Sequence, residues 1–345
     1  MESDVKSTLW RERTAFAEIK PSIKQGPKPS KPDGATILSI VLQCADYARL
    51  HMSARPFQLF SVGLLIFGSH FCVGIFDRDG VTFSPIHDMW KDTETFIRVV
   101  RRITCDLSLV ELGQDPTVTM LSPGSNETMA SESLPKDFLP DTSVFPSYSI
   151  SMGGNDSRRW CTVGPPIWNS LSFLGRGTSV WRVVEVKSGQ LPGPIVVMKS
   201  AWRSSKRLAE SDIYKSIVGS HPGVAKHQFG HDVRSADGHS ITVNALRLRP
   251  RNDYQETPTL HRLFLLTLGR PLWEYVSEIE LLKGLRAALQ GNTYYSQLSM
   301  AQLNPLPHLQ AMRSCASKGF STAISVLGTF CFLRPPTLTQ AMKAF

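Results

Sequence analysis

The chain has 345 residues, of which 41% are hydrophobic and 19% charged; that is the makeup of a folded soluble protein and excludes a largely disordered one. Because single cores commonly stop growing below this size, the length predicts two domains. The formal net charge of +9 favours nucleic acid, acidic lipid or nucleotide phosphate at long range without choosing among them, and with no dense Lys/Arg block it gives no specific nucleic-acid signal.

In chain order, residues 1–35 read as an N-terminal arm and a basic, proline-rich linker, in which Pro and four lysines between Lys20 and Gly34 disfavour regular structure. Within the arm, Phe16-Ala17-Glu18-Ile19-Lys20 can form a strand bearing Glu-x-Lys. From Ile37 to Met52 the residues Ile37, Ile40, Val41, Cys44 and Ala48 keep nearly helical spacing until Arg55-Pro56 halts it. Two β-type runs follow, Phe57 to Phe67 and Phe71 to Phe76, joined at Gly68-Ser69-His70, and the turn Asp77-Arg78-Asp79-Gly80 leads into Val81-Thr82-Phe83. Asp92 can cap a helix carrying Phe96, Ile97, Val100 and Ile103. Residues 36–120 are thus predicted as an α+β domain with an antiparallel meander. Seven prolines between Gly113 and Pro166 predict only short ordered pieces there, such as Tyr148-Ser149-Ile150, and residues 121–166 are read as a linker.

Past the linker, Leu171 to Leu174 alternates as a strand, turns through Gly175-Arg176-Gly177-Thr178 and returns as Val180 to Val186. Glycines in such a turn let backbone N–H groups approach phosphate oxygens, because no Cβ blocks the path, although hairpin glycines commonly serve the turn alone. The turn Lys187 to Pro194 then leads to an apolar strand, Ile195 to Met198, ending in Lys199. A lysine there is costly to bury unless something negative meets it. Over Lys206 to Ile217, Glu210 shares a helical face with Ile213, Tyr214 and Ile217, which would aim its carboxylate toward the sheet and Lys199. The competing pairing is with Lys206, one turn earlier at the surface.

These residues resemble the fungal-type protein kinase family. The match runs through Leu174 to Trp181, Val197 to Arg203 and Arg207 to Glu210, with Gly269-Arg270-Pro271-Leu272 and Glu280 to Arg286 resembling its hinge and next helix. Upstream, Tyr47-Ala48-Arg49, Phe76 to Gly80 and Leu112 to Pro116 are similar to the N-terminal region of these kinases. The resemblance implies a small lobe with hinge and following helix over residues 167–291, and ATP as cofactor, contacted by Gly175, Arg176, Gly177, Thr178, Lys199 and Glu210, with magnesium by family resemblance only. Val180 stands where the family has its third glycine, and a Cβ there is expected to crowd the loop.

The helix Glu278 to Gln290 is signalled by a Ser277/Glu280 capping box, an apolar face of Ile279, Leu282, Leu285 and Leu289, and Gly291 as its stop. In the family a catalytic loop and a magnesium-binding aspartate follow. Here the last aspartate is Asp253 and the last glutamate Glu280, so no carboxylate after Gly291 can take a hydroxyl proton or hold magnesium. No catalytic or metal residue is therefore assigned, ATP binding is expected to be weak or absent, and residues 292–345 read as an atypical tail replacing a truncated large lobe. The exposed underside of such a small lobe would recruit a protein partner or aggregate.

Two other readings stand beside the inactive kinase. Glu18 and Lys20 are similar to the pair of the metal-dependent restriction-nuclease-like core, which also needs an upstream aspartate, with Asp4 available. The N-terminal domain could equally be an interaction module with a vestigial kinase lobe. Six scattered cysteines, Cys44, Cys72, Cys105, Cys161, Cys315 and Cys331, lack zinc spacing and fit reduced thiols in an intracellular protein, with cytoplasm or nucleus left open. The start, charged at Arg11, Glu12 and Arg13, predicts no signal peptide, and the uncharged Gly319 to Leu333 is too short to span a bilayer.

Overall fold

The computed structural model describes residues 10–27, 39–121, 146–154, 156–186, 193–217, 219, 224–247, 257–269 and 275–302, the last twelve as backbone only. Arg270 to Leu272 of the expected hinge, most of the turn 187–194, and the segment Gly319 to Leu333 with Cys315 and Cys331 lie outside these residues. The chain divides into two compact units. The first comprises Met1–Pro194, Lys199–Arg207 and Asp232–Arg262, and the second Ile195–Met198, Leu208–His231 and Leu263–Phe345.

The first unit opens with strand β1 (Phe16–Lys20) and helix α1 (Ser39–Ala54). The helix stops before Arg55-Pro56, as the sequence requires, because the residue before a proline is driven out of the α region. Ile40, Cys44, Ala48 and Met52, four residues apart, are all buried on it. β2 (Ser61–Phe67) lies parallel to β1 with Phe16 opposite Gly63, and antiparallel to β3 (His70–Asp77) with Phe67 opposite His70. The hairpin loop between them is two residues, and Gly68 takes φ +59° in it, a conformation that costs a glycine little. β4 (Gly80–Phe83) and β5 (His87–Asp88) both pair with β3, giving the five-stranded sheet order β1-β2-β3-β4 with β5 beside β3. The expected meander is present.

Side-chain alternation sorts β2 between two cores. Leu65 and Phe67 join Ile40, Cys44, Ala48, Cys72 and Phe76 beneath α1, whereas Val62 points to the opposite face. Helix α2 (Thr93–Arg101) follows Asp92, as predicted, but the Asp92 side chain caps no helix amide; its Oδ2 sits 3.1 Å from His87 Nδ1. The helix buries none of its residues, and Ile97 is exposed.

The remaining elements are β6 (Val118–Met120), β7 (Tyr148–Ser151), β8 (Arg159–Thr162), β9 (Trp168–Asn169), β10 (Ser179–Val186), β11 (Val196–Ser204), α3 (Glu210–Lys215), β12 (His227–Asp232), α4 (Val243–Leu246), β13 (Pro258–Leu265) and α5 (Glu278–Gln302). The eight strands form a second sheet, ordered β12-β13-β11-β10-β8-β7-β6 with β9 on β10. Unit boundaries fall inside β11, β12 and β13. The fold is α+β, with two largely antiparallel sheets and few helices.

A single apolar cluster in the first unit gathers Leu59, Phe60, Val62 and Leu112 with Trp202, Val233, Ile241, Val243 and Leu260. Leu59 and Leu260, 201 positions apart in sequence, thereby share one core. Phe57 stacks on the fully buried Trp181 at 5.3 Å between ring centroids. Two buried ion pairs also join distant segments: Arg247 Nε to Asp77 Oδ2 at 2.8 Å, and Arg262 Nη2 to Asp115 Oδ2 at 2.6 Å.

Within the second unit, Phe229 and Phe264 stack at 4.4 Å and Tyr214 stacks on His227 at 5.6 Å. At the start of α5, the Glu280 amide donates to Ser277 Oγ at 3.3 Å, and the Glu280 carboxylate accepts from the Val276 amide at 2.8 Å. Gly291 does not end this helix, which runs to Gln302; an interior glycine costs only about 1 kcal/mol relative to alanine and forces no stop. Ile279, Leu282 and Leu289, expected on an apolar face, are more than 60% exposed. Among the described residues no helix is long and apolar enough to cross a membrane.

Candidate nucleotide site

The glycine turn lies between β9 and β10. The strand expected at Leu171 to Leu174 forms instead at Trp168–Asn169, paired with Val180 and Ser179, so the turn is the nine residues 170–178. Phe173 explains the shift: it packs into the core beneath α1, 6.3 Å from the Phe76 ring, which pulls its segment out of strand pairing. Ser170 N–H donates to Thr178 O at 2.9 Å and closes the turn.

Gly175 and Gly177 both have positive φ, +86° and +47°. Around Gly175 a Cβ would meet open space. At Gly177 it would come within 2.5 Å of Arg78 Cζ and Nε. The positive φ favours glycine at Gly177, and a Cβ there would also have to displace the Arg78 guanidinium. Val180 sits inside β10, buried and paired with Trp168, in the strand that follows the turn. Arg176 O accepts from the Trp202 amide at 2.8 Å, fixing the turn to β11.

Arg78 comes from the β3–β4 turn, which the sequence marked only as a hairpin connection. Its carbonyl accepts the Gly175 N–H at 2.9 Å, and its Nη1 donates to the carbonyls of Ser172 and Phe173. The side chain is buried, and burial pulls the guanidinium down to about 10.

Lys199 lies in the middle of β11 and is 5% exposed. Trp202, three positions on, enters the apolar cluster of the first unit, so Lys199 shares the opposite face with Ala201 and Arg203. Glu210 is the first residue of α3 and is also buried. The helix expected from Lys206 to Ile217 is the shorter Glu210–Lys215, because Ala209 before it is extended (φ −65°, ψ 143°).

Sequence reasoning missed a polar cluster on three strands. Asp232 accepts from Arg203 Nε at 2.8 Å and Nη2 at 2.6 Å, and its Oδ1 lies 2.9 Å from His261 Nδ1. Burial works to raise the Asp232 carboxyl, but the hydrogen bonds from His261 and Arg203 outweigh it and hold the group below the usual carboxylate range. Only strand pairing brings these residues together, so no local spacing signals them.

Glu18 and Lys20 of β1 pair at 2.7 Å; Lys20 Nζ also donates to Gln43 Oε1 at 2.7 Å, and Gln43 Nε2 donates to the Tyr47 hydroxyl at 2.6 Å. The Glu18 carboxylate is therefore engaged by its own motif lysine, and Asp4 lies outside the described residues. Among the described residues no group of three or more His, Cys, Asp or Glu side chains is placed to hold a metal ion. Asp77 and Asp79, the sequence neighbours of Arg78, are both ion-paired with Arg247. Cys44, Cys72 and Cys161 are buried, and burial pushes the Cys44 thiol up to about 12 and Cys72 up to about 11, which disfavours the reactive thiolate at these two positions.

No curated protein and no solved structure matches the chain. A family model described as fungal protein kinase matches residues 27–298, which takes in α1, the first sheet apart from β1, the second sheet, the glycine turn, Lys199, Glu210 and most of α5. With most of its length inside that match, the chain belongs to the fungal protein kinase family.

Proposed function

We propose that residues 1–345 form a nucleotide-binding, kinase-like portion that holds the phosphates of ATP but does not by itself transfer the phosphoryl group. The observation that carries this reading is Lys199, an ammonium buried on an apolar strand that follows a glycine turn in the order kinases use. Glu210, buried at the start of α3, is the residue to which the family resemblance assigns the carboxylate role. Gly175, Arg176, Gly177 and Thr178 would face the phosphates.

Absence of transfer rests on composition. Residues 292–345 hold neither Asp nor Glu, and the family's proton acceptor and magnesium ligand follow the helix that α5 resembles. The exposed Ile279, Leu282 and Leu289 of α5 support a protein partner on this helix.

Magnesium-ATP at about a hundredfold its dissociation constant stabilises a protein by about 2.7 kcal/mol, roughly a 5–10 °C rise in melting temperature. That rise is expected for the full chain and is expected to vanish in Lys199→Ala. No rise in either protein would sink the nucleotide reading. Phosphate transfer from ATP to a protein hydroxyl, present in the parent and absent in Lys199→Ala, would overturn the assignment of inactivity.

A further inference from the structure

We infer that Arg78, supplied by the N-terminal meander, is an anion-contacting residue of the glycine turn and binds the polyphosphate chain of the nucleotide; this rests on the nucleotide reading above. The argument begins with charge. Arg78 is 7% exposed, and a buried guanidinium is expected to have a carboxylate partner. Its sequence neighbours are both aspartates, yet Arg247 takes them: its Nε and Nη2 grip Asp77 at 2.8 and 2.9 Å, and its Nη2 reaches Asp79 at 3.3 Å. Among the described residues Arg78 forms no ion pair. Among the described residues its only side-chain hydrogen bonds run from Nη1 to the carbonyls of Ser172 and Phe173, and its Nε is buried with no acceptor.

That orphaned donor lies against Gly177, within 2.5 Å of where a Cβ would stand. The amides of Gly177 and Thr178 likewise donate to no acceptor among the described residues. A fixed cation from the β3–β4 turn therefore lies against a glycine turn that carries two unspent N–H groups. Oxygen atoms of a phosphate match this set, because they supply both the missing negative charge and several acceptors. Two loop carbonyls on Nη1 hold the fork in place beforehand, which lowers the cost of ordering it on binding.

The test measures binding of magnesium-ATP, ADP, AMP and inorganic tripolyphosphate to the full chain and to Arg78→Gln, Arg78→Lys and Lys199→Ala, with unliganded melting temperatures alongside. Arg78→Gln is expected to weaken ATP and tripolyphosphate by 10-fold or more, with a smaller loss for AMP, and Arg78→Lys to recover part of the affinity. A merely structural role would weaken all three nucleotides equally, and that result overturns the inference. So does ATP binding that depends on Lys199 but is untouched by Arg78→Gln, which leaves the nucleotide reading standing. Arg78-dependent binding of tripolyphosphate without ATP binding supports the anion site while sinking the nucleotide reading. If Arg78→Gln fails to fold, Arg78→Lys decides: binding equal to the parent for every phosphate-bearing ligand overturns a fork-specific contact, and a loss graded by phosphate number supports it.

Discussion

Replacing Arg262 by methionine is expected to lower stability by about 3–5 kcal/mol, read as a lower urea midpoint. Arg262 is fully buried, and its guanidinium donates to Asp115 Oδ2 at 2.6 Å, to Thr117 Oγ1 at 2.9 Å and to Ser151 O at 2.7 Å. Burial lowers its pKa while Asp115 opposes that shift. Removing the cation leaves the Asp115 carboxylate, 1% exposed, with only the Thr117 amide and hydroxyl as partners of its side chain among the described residues. Most of the cost is that uncompensated charge, so the double variant Asp115→Asn, Arg262→Met is expected to be more stable than Arg262→Met alone. A cost below about 1 kcal/mol for the single variant, of the size of an exposed pair, would show that the pair does not hold β13 against the Asp115 turn.

Acid is expected to destabilise the first unit well before its carboxylates protonate. His51 is fully buried, and burial, aided by Arg55 and opposed by the hydrogen bond to Arg13 O, lowers it to about 4. Its Nε2 lies 2.8 Å from the Arg13 carbonyl, which can only accept, so Nε2 carries the proton and Nδ1 accepts from the Ser61 hydroxyl at 2.7 Å. The folded state therefore keeps His51 neutral, while the unfolded chain protonates it near the ordinary value of about 6.5. The stabilisation is whole above about pH 6.5 and is lost as pH falls toward 4, a change on the order of 3 kcal/mol. Asp232 titrates below the usual carboxylate range in the folded state, so its contribution is lost only below about pH 4, outside this window. Urea midpoints from pH 7 to pH 4 should fall for the parent and stay nearly flat for His51→Gln. An equal decline in both proteins would remove His51 as the cause.

What could be read in the sequence was local. The meander from Ser61 to Phe83 was legible because alternation and Gly68, Asp79 and Gly80 mark its strands and turns within a few residues. Lys199 stood out because an ammonium interrupts an apolar strand. The β9 strand was misplaced because Phe173, which fits an alternating pattern, is claimed by a core built from α1 and β3. Within 121–166, the strands Tyr148–Ser151 and Arg159–Thr162 carried weak signals, since what stabilises them is pairing with Val118–Met120 and Ser179–Val186.

By itself the sequence determined the fold class, the kinase-like order of glycine turn, strand lysine and helix glutamate, and the shortage of acids toward its end. Each of these depends on residue types and spacings within one element. Only the tertiary structure decided that Arg78 lies against Gly177, that Arg247 claims both neighbouring aspartates, and that Asp115 meets Arg262. These contacts join residues roughly 100 to 170 positions apart. Buried charge finds its partner through the packing of distant segments, which no local pattern records.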